Sequence, residues 1–243
     1  MSNSPLVVYT KLSPNRTKPR NHIIDTISIH VLDGDLPVES ILNLSMFQNY
    51  DPVNGASCNY AIDSAGRIGL GVEEANRSWC TSSKSNDHRA ITIEVANYKG
   101  GPNYEVTDKA LEALVNLLTD VCKRNGIKQL LWKNDKSLVG QVDKQNMTVH
   151  RWFKNKACPG NYLLGKHTWI ATEVNRRLNE EDKKVQKTLD NTPDPYAKDA
   201  VNWALDLGIL KGDEVGDLKL HQSVTRQDVL VFMKRLHENK QKR

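Results

Sequence analysis

The run from Thr148 to Gly160 places an imidazole, an ammonium and a thiol close together, on His150, Lys156 and Cys158, with Pro159 and Gly160 following to turn the backbone away. Histidine and cysteine are the side chains that best hold zinc, and a catalytic zinc takes three protein ligands and leaves one position to water. A third ligand is needed, and the best candidate lies far upstream, in Asp25-Thr26-Ile27-Ser28-Ile29-His30. Alternation there puts Ile27 and Ile29 on one face of a strand and His30 on the other. His30, His150 and Cys158 form a His2Cys candidate set, although the seven residues between His150 and Cys158 are not a zinc-finger spacing. On residue types alone Lys156 reads as a solvated lysine of the basic run Lys154-Asn155-Lys156. A carboxylate also stands out: Ile91, Ile93 and Val95 face one way and Thr92 and Glu94 the other. Facing solvent, Glu94 does nothing; facing a pocket, it is a base.

Several elements are expected to hold these groups. The strand at 25–30 is followed by the turn Asp33-Gly34-Asp35 and a helix over 37–44 with Pro in its first turn. Residues 60–68 read as a hairpin with Gly66 in its turn. The clearest helix is 107–125, with Thr107 as N-cap, apolar residues from Leu111 to Cys122 at helical spacing and Asn125-Gly126 as its stop. Leu130-Leu131-Trp132 reads as a short buried strand, and residues 162–178 as a last helix with Tyr162, Trp169 and Val174 in the core. Strands alternating with helices predict an α/β domain with a mixed central sheet flanked by helices. The remaining histidines, His22, His88, His167, His221 and His237, stand in polar contexts and read as surface.

At 243 residues the chain is long enough for one good-sized domain and a small one. The expected division is 1–178, a charged linker at 179–195, and a small all-α domain at 196–243. In the last of these Tyr196, Ala200, Trp203, Ala204 and Leu207 share a helical face, and Thr225 with Asp228 forms a partial capping box for a second helix. The formal charge of +5 lies wholly in 1–178, which has 22 Lys and Arg against 17 Asp and Glu. Such a charge suits an anionic cell wall and nucleic acid alike, so it does not choose the partner. There is no apolar run long enough to span a membrane, and the first ten residues lack the basic start and apolar core of a secretory signal. Cys58, Cys80, Cys122 and Cys158 are too scattered to read as a disulfide framework, and a Cys58–Cys80 pair stays open.

The segment His150 to Cys158 resembles the closing motif of the zinc amidases that share a fold with peptidoglycan recognition proteins. The words around His30, Ser57-Cys58-Asn59-Tyr60 and Ala90 to Val95 come in that family's order. Glu74 to Cys80 and Val149 to Phe153 are similar to N-acetylmuramoyl-L-alanine amidases of clostridial bacteria and their phages. The resemblance covers about residues 8–178. It implies a zinc enzyme with His30, His150 and Cys158 as ligands, Glu94 moving a proton between water and the leaving amine, Lys156 stabilising the oxyanion, and Tyr60 beside the metal. The substrate it implies is peptidoglycan rather than nucleic acid or membrane, with release through a holin-made lesion. Cys80 stands where relatives commonly have a histidine after the tryptophan. Asn202-Trp203-Ala204, Leu207 to Gly212 and Val224-Thr225-Arg226 resemble one S-layer homology repeat, a module that binds cell-wall polymers. Such repeats commonly come in threes, which points to self-association into a homo-oligomer. Alternatives are a recognition module without catalysis, a host autolysin with the same chemistry, and a zinc ion that only holds loops together.

Overall fold

Two runs of alternating residues, 26–32 and 90–96, become the adjacent strands on which everything else is stacked. The computed structural model describes residues 2–241, with the side chains of 181–188 and 240–241 outside the description. In chain order, β1 (Val7–Thr10), β2 (Arg16–Thr17) and β3 (Thr26–Leu32) lead into α1 (Val38–Leu42) and α2 (Ser45–Gln48). Next come β4 (Tyr60–Ile62), β5 (Ile68–Leu70), β6 (Arg77–Ser78), α3 (Lys84–Arg89) and β7 (Ala90–Ala96). The chain continues through α4 (Asp108–Arg124), β8 (Met147–Thr148), α5 (Gly160–Thr188), α6 (Lys198–Asp206) and α7 (Arg226–Gln241). The main sheet runs β1-β5-β4-β7-β3-β8, parallel throughout except for the β4–β5 hairpin. This is the mixed α/β architecture that the pattern predicts.

Each face of the sheet has its own cover. Ile27, Ile29, Ile62, Ile91, Ile93 and Val95 point to α4 and α5, whose Leu114, Leu118, Cys122, Ile170 and Val174 complete one buried cluster. Thr107 caps α4, its Oγ1 accepting from Ala110 N at 3.1 Å, as expected. The opposite face carries α1, with Val38, Ile41 and Leu42 packed with Ala61 in a second, smaller cluster. Close approach of α1 requires Gly69, where a Cβ would sit 2.5 Å from Val38 Cγ2 and 2.7 Å from a Leu42 methyl.

Four expectations are corrected. Leu130 to Trp132 is not a strand: Asn175 bonds both Leu130 N–H (2.7 Å) and C=O (2.9 Å), and Asn146 takes Leu131 N–H at 2.7 Å, so side-chain amides replace a ladder. Trp169 lies outside the core, with Lys166 Nζ 5.7 Å from its ring centroid. The last helix of the first domain continues to Thr188, because Glu, Lys and Gln between 179 and 188 favour helix and no Gly or Pro interrupts them; the side chains of 181–188, read as linker, lie outside the described residues. His167 is fully buried rather than on the surface. The spacing of α5 carries it inward, where its Nδ1–H donates to Leu163 C=O (2.6 Å) and its ring meets Trp132 at 4.4 Å.

The chain forms two compact units, Met1–Asn179 and Glu180–Arg243. Within the second, Thr225 and Asp228 satisfy each other's amides, Asp228 N–H donating to Thr225 Oγ1 at 3.1 Å and Thr225 N–H to Asp228 Oδ2 at 3.0 Å. Gly208, at φ 62°, ends the turn after α6. Asp190 takes both the backbone N–H and Nδ1 of His221. Lys242 and Arg243 lie outside the described residues.

Burial holds the His167 pKa down to about 4, from an ordinary value of 6.5. Between those values the unfolded chain binds the extra proton, so this residue's contribution to stability is present above about 6.5 and lost as pH falls towards 4. Chemical denaturation of wild type and His167→Phe across pH 4–7 should show a stability difference that changes by on the order of 3 kcal/mol over that window. Parallel curves would refute the burial of a neutral His167.

Candidate metal centre and its carboxylate

The parallel register of β3 on β7 sets His30 directly beside Glu94, and Ser28 beside Thr92, all on the face away from α4. β8 extends the sheet on the other side of β3, with Thr148 opposite Ser28. That pairing delivers the chain to His150 just beyond the sheet edge, where residues 150–152 form a single 3-10 turn. The rings of His30 and His150 then lie 5.1 Å apart. From His150 the chain loops out and returns: Arg151 N–H donates to Cys158 C=O (3.3 Å), and Cys158 Sγ accepts from Val31 N–H at 3.4 Å. The thiol stands 3.4 Å from His30 Nδ1. One ligand atom from each of His30, His150 and Cys158 lies within 4.8 Å of the others.

The donor set fits zinc. Burial first, and then the charge of each basic neighbour, lowers the histidines: His30 well below its ordinary 6.5, and His150 to about 4, with Lys156 and Lys154 assisting. Both rings are therefore neutral at pH 7, with a lone pair free. The Cys158 thiol is pushed up by burial and by Glu94, against the opposing effect of Val31 N–H, Arg151 and Lys156; a divalent cation supplies the charge that would hold it as thiolate. Ser28 Oγ lies 3.2 Å from His30 Nε2 and 3.4 Å from Thr148 C=O. Since the carbonyl can only accept, the hydroxyl donates to it and accepts from Nε2–H, which leaves Nδ1 unprotonated towards the thiol. Ser82, held at φ 63°, places its hydroxyl 3.2 Å from His150 Nε2.

Glu94 faces this cluster. Its Oε1 is 3.9 Å from His30 Nδ1 and accepts from the Cys80 thiol at 3.7 Å, while Oε2 is buried with no hydrogen-bond partner among the described residues. Burial raises its pKa to about 7. Lys156 is exposed, and its charge reaches both His150 and Cys158.

Tyr60 is not brought to the cluster. In the β4–β7 register it pairs with Ile93, and it is Ala61 that pairs with Glu94, so the ring enters the α4 side of the sheet. There its hydroxyl donates to the buried Glu74 (2.5 Å) and accepts from Ser4 N–H (2.8 Å), and Arg124 binds the same carboxylate. Ser28, Ser82, Cys80 and Asp87 were not singled out as site residues from the sequence. Ser28 was available to the same alternation that marked His30. Cys80 was read as a departure from a family pattern and as an open disulfide partner for Cys58, and Asp87 carried no signal, because α3 itself was not expected. Asp87, raised to about 6 by burial, accepts from Cys80 N–H and from the amide and hydroxyl of Thr81, which anchors the loop below Glu94. All four cysteines are free thiols, so Cys58 and Cys80 are not paired.

Among solved structures the chain is similar to PlyL, at 20% identity and a TM-score of 0.47, covering 69% of this chain and 96% of that one. The endolysin N-acetylmuramoyl-L-alanine amidase LysCS from Clostridium intestinale URNW is 16% identical with a TM-score of 0.46, over 71% and 97% of the two chains. A selenomethionine derivative of AmpD is 16% identical with a TM-score of 0.49, over 70% and 99%. No curated protein matches the chain. A family model described as N-acetylmuramoyl-L-alanine amidase matches residues 20–161, more than half of the chain. That span contains His30, Glu94, His150, Lys156 and Cys158, and the chain belongs to the N-acetylmuramoyl-L-alanine amidase family.

Proposed function

We propose that this protein is a zinc-dependent amidase that hydrolyses the bond between the lactyl group of N-acetylmuramic acid and L-alanine in peptidoglycan. The observation that carries the reading is the convergence of His30, His150 and Cys158 around a face that also holds Glu94. His30, His150 and Cys158 would hold the zinc ion. When bound, zinc supplies Lewis-acid polarisation and activation of water near neutral pH. Glu94, with one oxygen unpartnered, takes a proton from the attacking water and passes it to the departing amine. Lys156, at the exposed lip, places its ammonium where negative charge develops on the carbonyl oxygen. Ser28 and Ser82 keep the two rings oriented. A pure recognition module has no use for a partly buried glutamate with one unsatisfied oxygen, and a zinc ion that only holds loops together is normally closed by four ligands.

The finer reading is a phage endolysin of clostridial type, acting on the wall after release through a membrane lesion. The words Glu74 to Cys80 and Val149 to Phe153 support it, and a host autolysin is the alternative. No described helix is long and apolar enough to cross a membrane. Residues 196–243 would bind a wall polymer and associate with further copies. In support, Ile209 is the one hydrophobic residue of the second unit that is buried among the described residues. Tyr196 is 88% exposed, and Trp203, Leu230 and Met233 all exceed half.

Digestion of purified clostridial peptidoglycan should yield intact glycan strands and free peptides beginning with L-alanine by mass spectrometry. Chelation should abolish that release and added zinc restore it. Glu94→Ala should lower the rate by about 10²–10⁴-fold with its thermal unfolding little changed; a variant within a few-fold of wild type would remove Glu94 from the mechanism. Undigested wall that still retains the protein would favour the recognition module. In light scattering at micromolar concentration the full chain should exceed its 27.5 kDa monomer mass. A monomer there would end the self-association reading.

A further inference from the structure

Of the buried thiols that the catalytic arrangement does not use, Cys80 bonds the Glu94 carboxylate. Cys80 Sγ donates to Glu94 Oε1 at 3.7 Å, and one ligand atom from each of His30, Cys80 and Glu94 lies within 4.8 Å of the others. The thiol is held there by its own loop: Asp87 accepts from Cys80 N–H at 3.1 Å and from the Thr81 hydroxyl at 2.6 Å. A separate observation points the same way. Glu94 Oε2 is buried without a hydrogen-bond partner among the described residues, a cost that a cation would remove.

We propose that His30, Cys80 and Glu94 form a second seat for a zinc-like divalent cation, overlapping the catalytic seat and sharing His30 with it. Imidazole, thiolate and carboxylate are the three donor classes zinc accepts, and cobalt(II) and cadmium suit the same set. The two seats exclude each other. His30 Nδ1 faces both Cys158 (3.4 Å) and Glu94 (3.9 Å), while Nε2 is engaged by Ser28. A single ring nitrogen thus serves both.

Charge separates the two positions. Cys158 alone contributes one negative charge to a cation in the catalytic seat, which leaves it net positive. Cys80 and Glu94 together neutralise a divalent cation in the second, and neutral assemblies are the less costly to bury. An ion in the second seat also occupies Glu94, so the protein there holds metal with no carboxylate free for proton transfer. The second seat is a latent position, and the catalytic seat is a working one.

This inference rests on the metal reading of the His30 cluster, and one experiment separates them. The probe is cobalt(II) with the full-length protein, read as bound stoichiometry by equilibrium dialysis and as the near-ultraviolet thiolate-to-cobalt band. Wild type should bind one equivalent. Cys158→Ser should still bind one equivalent with a thiolate band, and adding Cys80→Ser should abolish that band. If wild type binds cobalt but folded Cys158→Ser binds none, or binds it without the band, the second seat is overturned and the catalytic one stands. A wild type that binds none overturns both. Circular dichroism checks folding. If Cys158→Ser does not fold, His150→Ala replaces it as the background, and a band there that does not weaken on adding Cys80→Ser overturns the second seat.

Discussion

The register between β3 and β7 is the constraint on which the site depends. Seven consecutive pairs, from Thr26 with Ala90 to Leu32 with Ala96, lock the two strands together. Side chains alternate, so a slip of one residue would place Ile93 or Val95 beside His30 and send Glu94 among isoleucines. Such a slip would expose several fully buried Ile and Val side chains, each worth about 1.5–3 kcal/mol, and would bury a carboxylate without a partner. The apolar face therefore chooses the register, and the polar face inherits its geometry.

That inheritance has an electrostatic cost. His30, Glu94, Cys80 and Cys158 sit on a sheet face largely shielded from water, and burial is the leading influence on the protonation of each. Serine hydroxyls, a backbone amide and the thiol of Cys80 satisfy part of the cluster, and Glu94 Oε2 is left over. On the proposed metal reading, a divalent cation bound there would resolve the remainder, by holding a thiol as thiolate and taking the free lone pairs. Tyr60 shows the reverse case on the other face of the same sheet. Its hydroxyl and the Glu74 carboxylate are satisfied within the protein, by Ser4, Arg124 and Asn125, and nothing is left over for a ligand.

The second unit is built with far less interior. Thr225 and Asp228 cap α7, and the loops are tied by Asp190, Asp213 and Asp217, whose carboxylates collect backbone amides. Local hydrogen bonding thus defines the shape while most of the large apolar side chains remain on the surface. Exposed apolar groups on so small a body are the physical ground for the proposal that it binds a wall polymer and further copies.

Much of this was legible in the residues themselves. The strand carrying His30, the hairpin after Tyr60, the strand ending near Glu94 and the capped helix α4 all follow from short-range alternation, helical spacing and turn chemistry, which act between neighbours in sequence. Zinc-type donors at His150 and Cys158 were likewise visible as residue types. What a linear pattern does not carry is which strand lies beside which, and in what register. For that reason the side of the sheet that Tyr60 enters, away from the metal that the resemblance sets beside it, the place of Cys80 next to Glu94, the role of Asp87 and the burial of His167 are decided only in the fold. Those placements depend on contacts between residues tens of positions apart, and burial of the isoleucines between β3, β7 and α4 decided them.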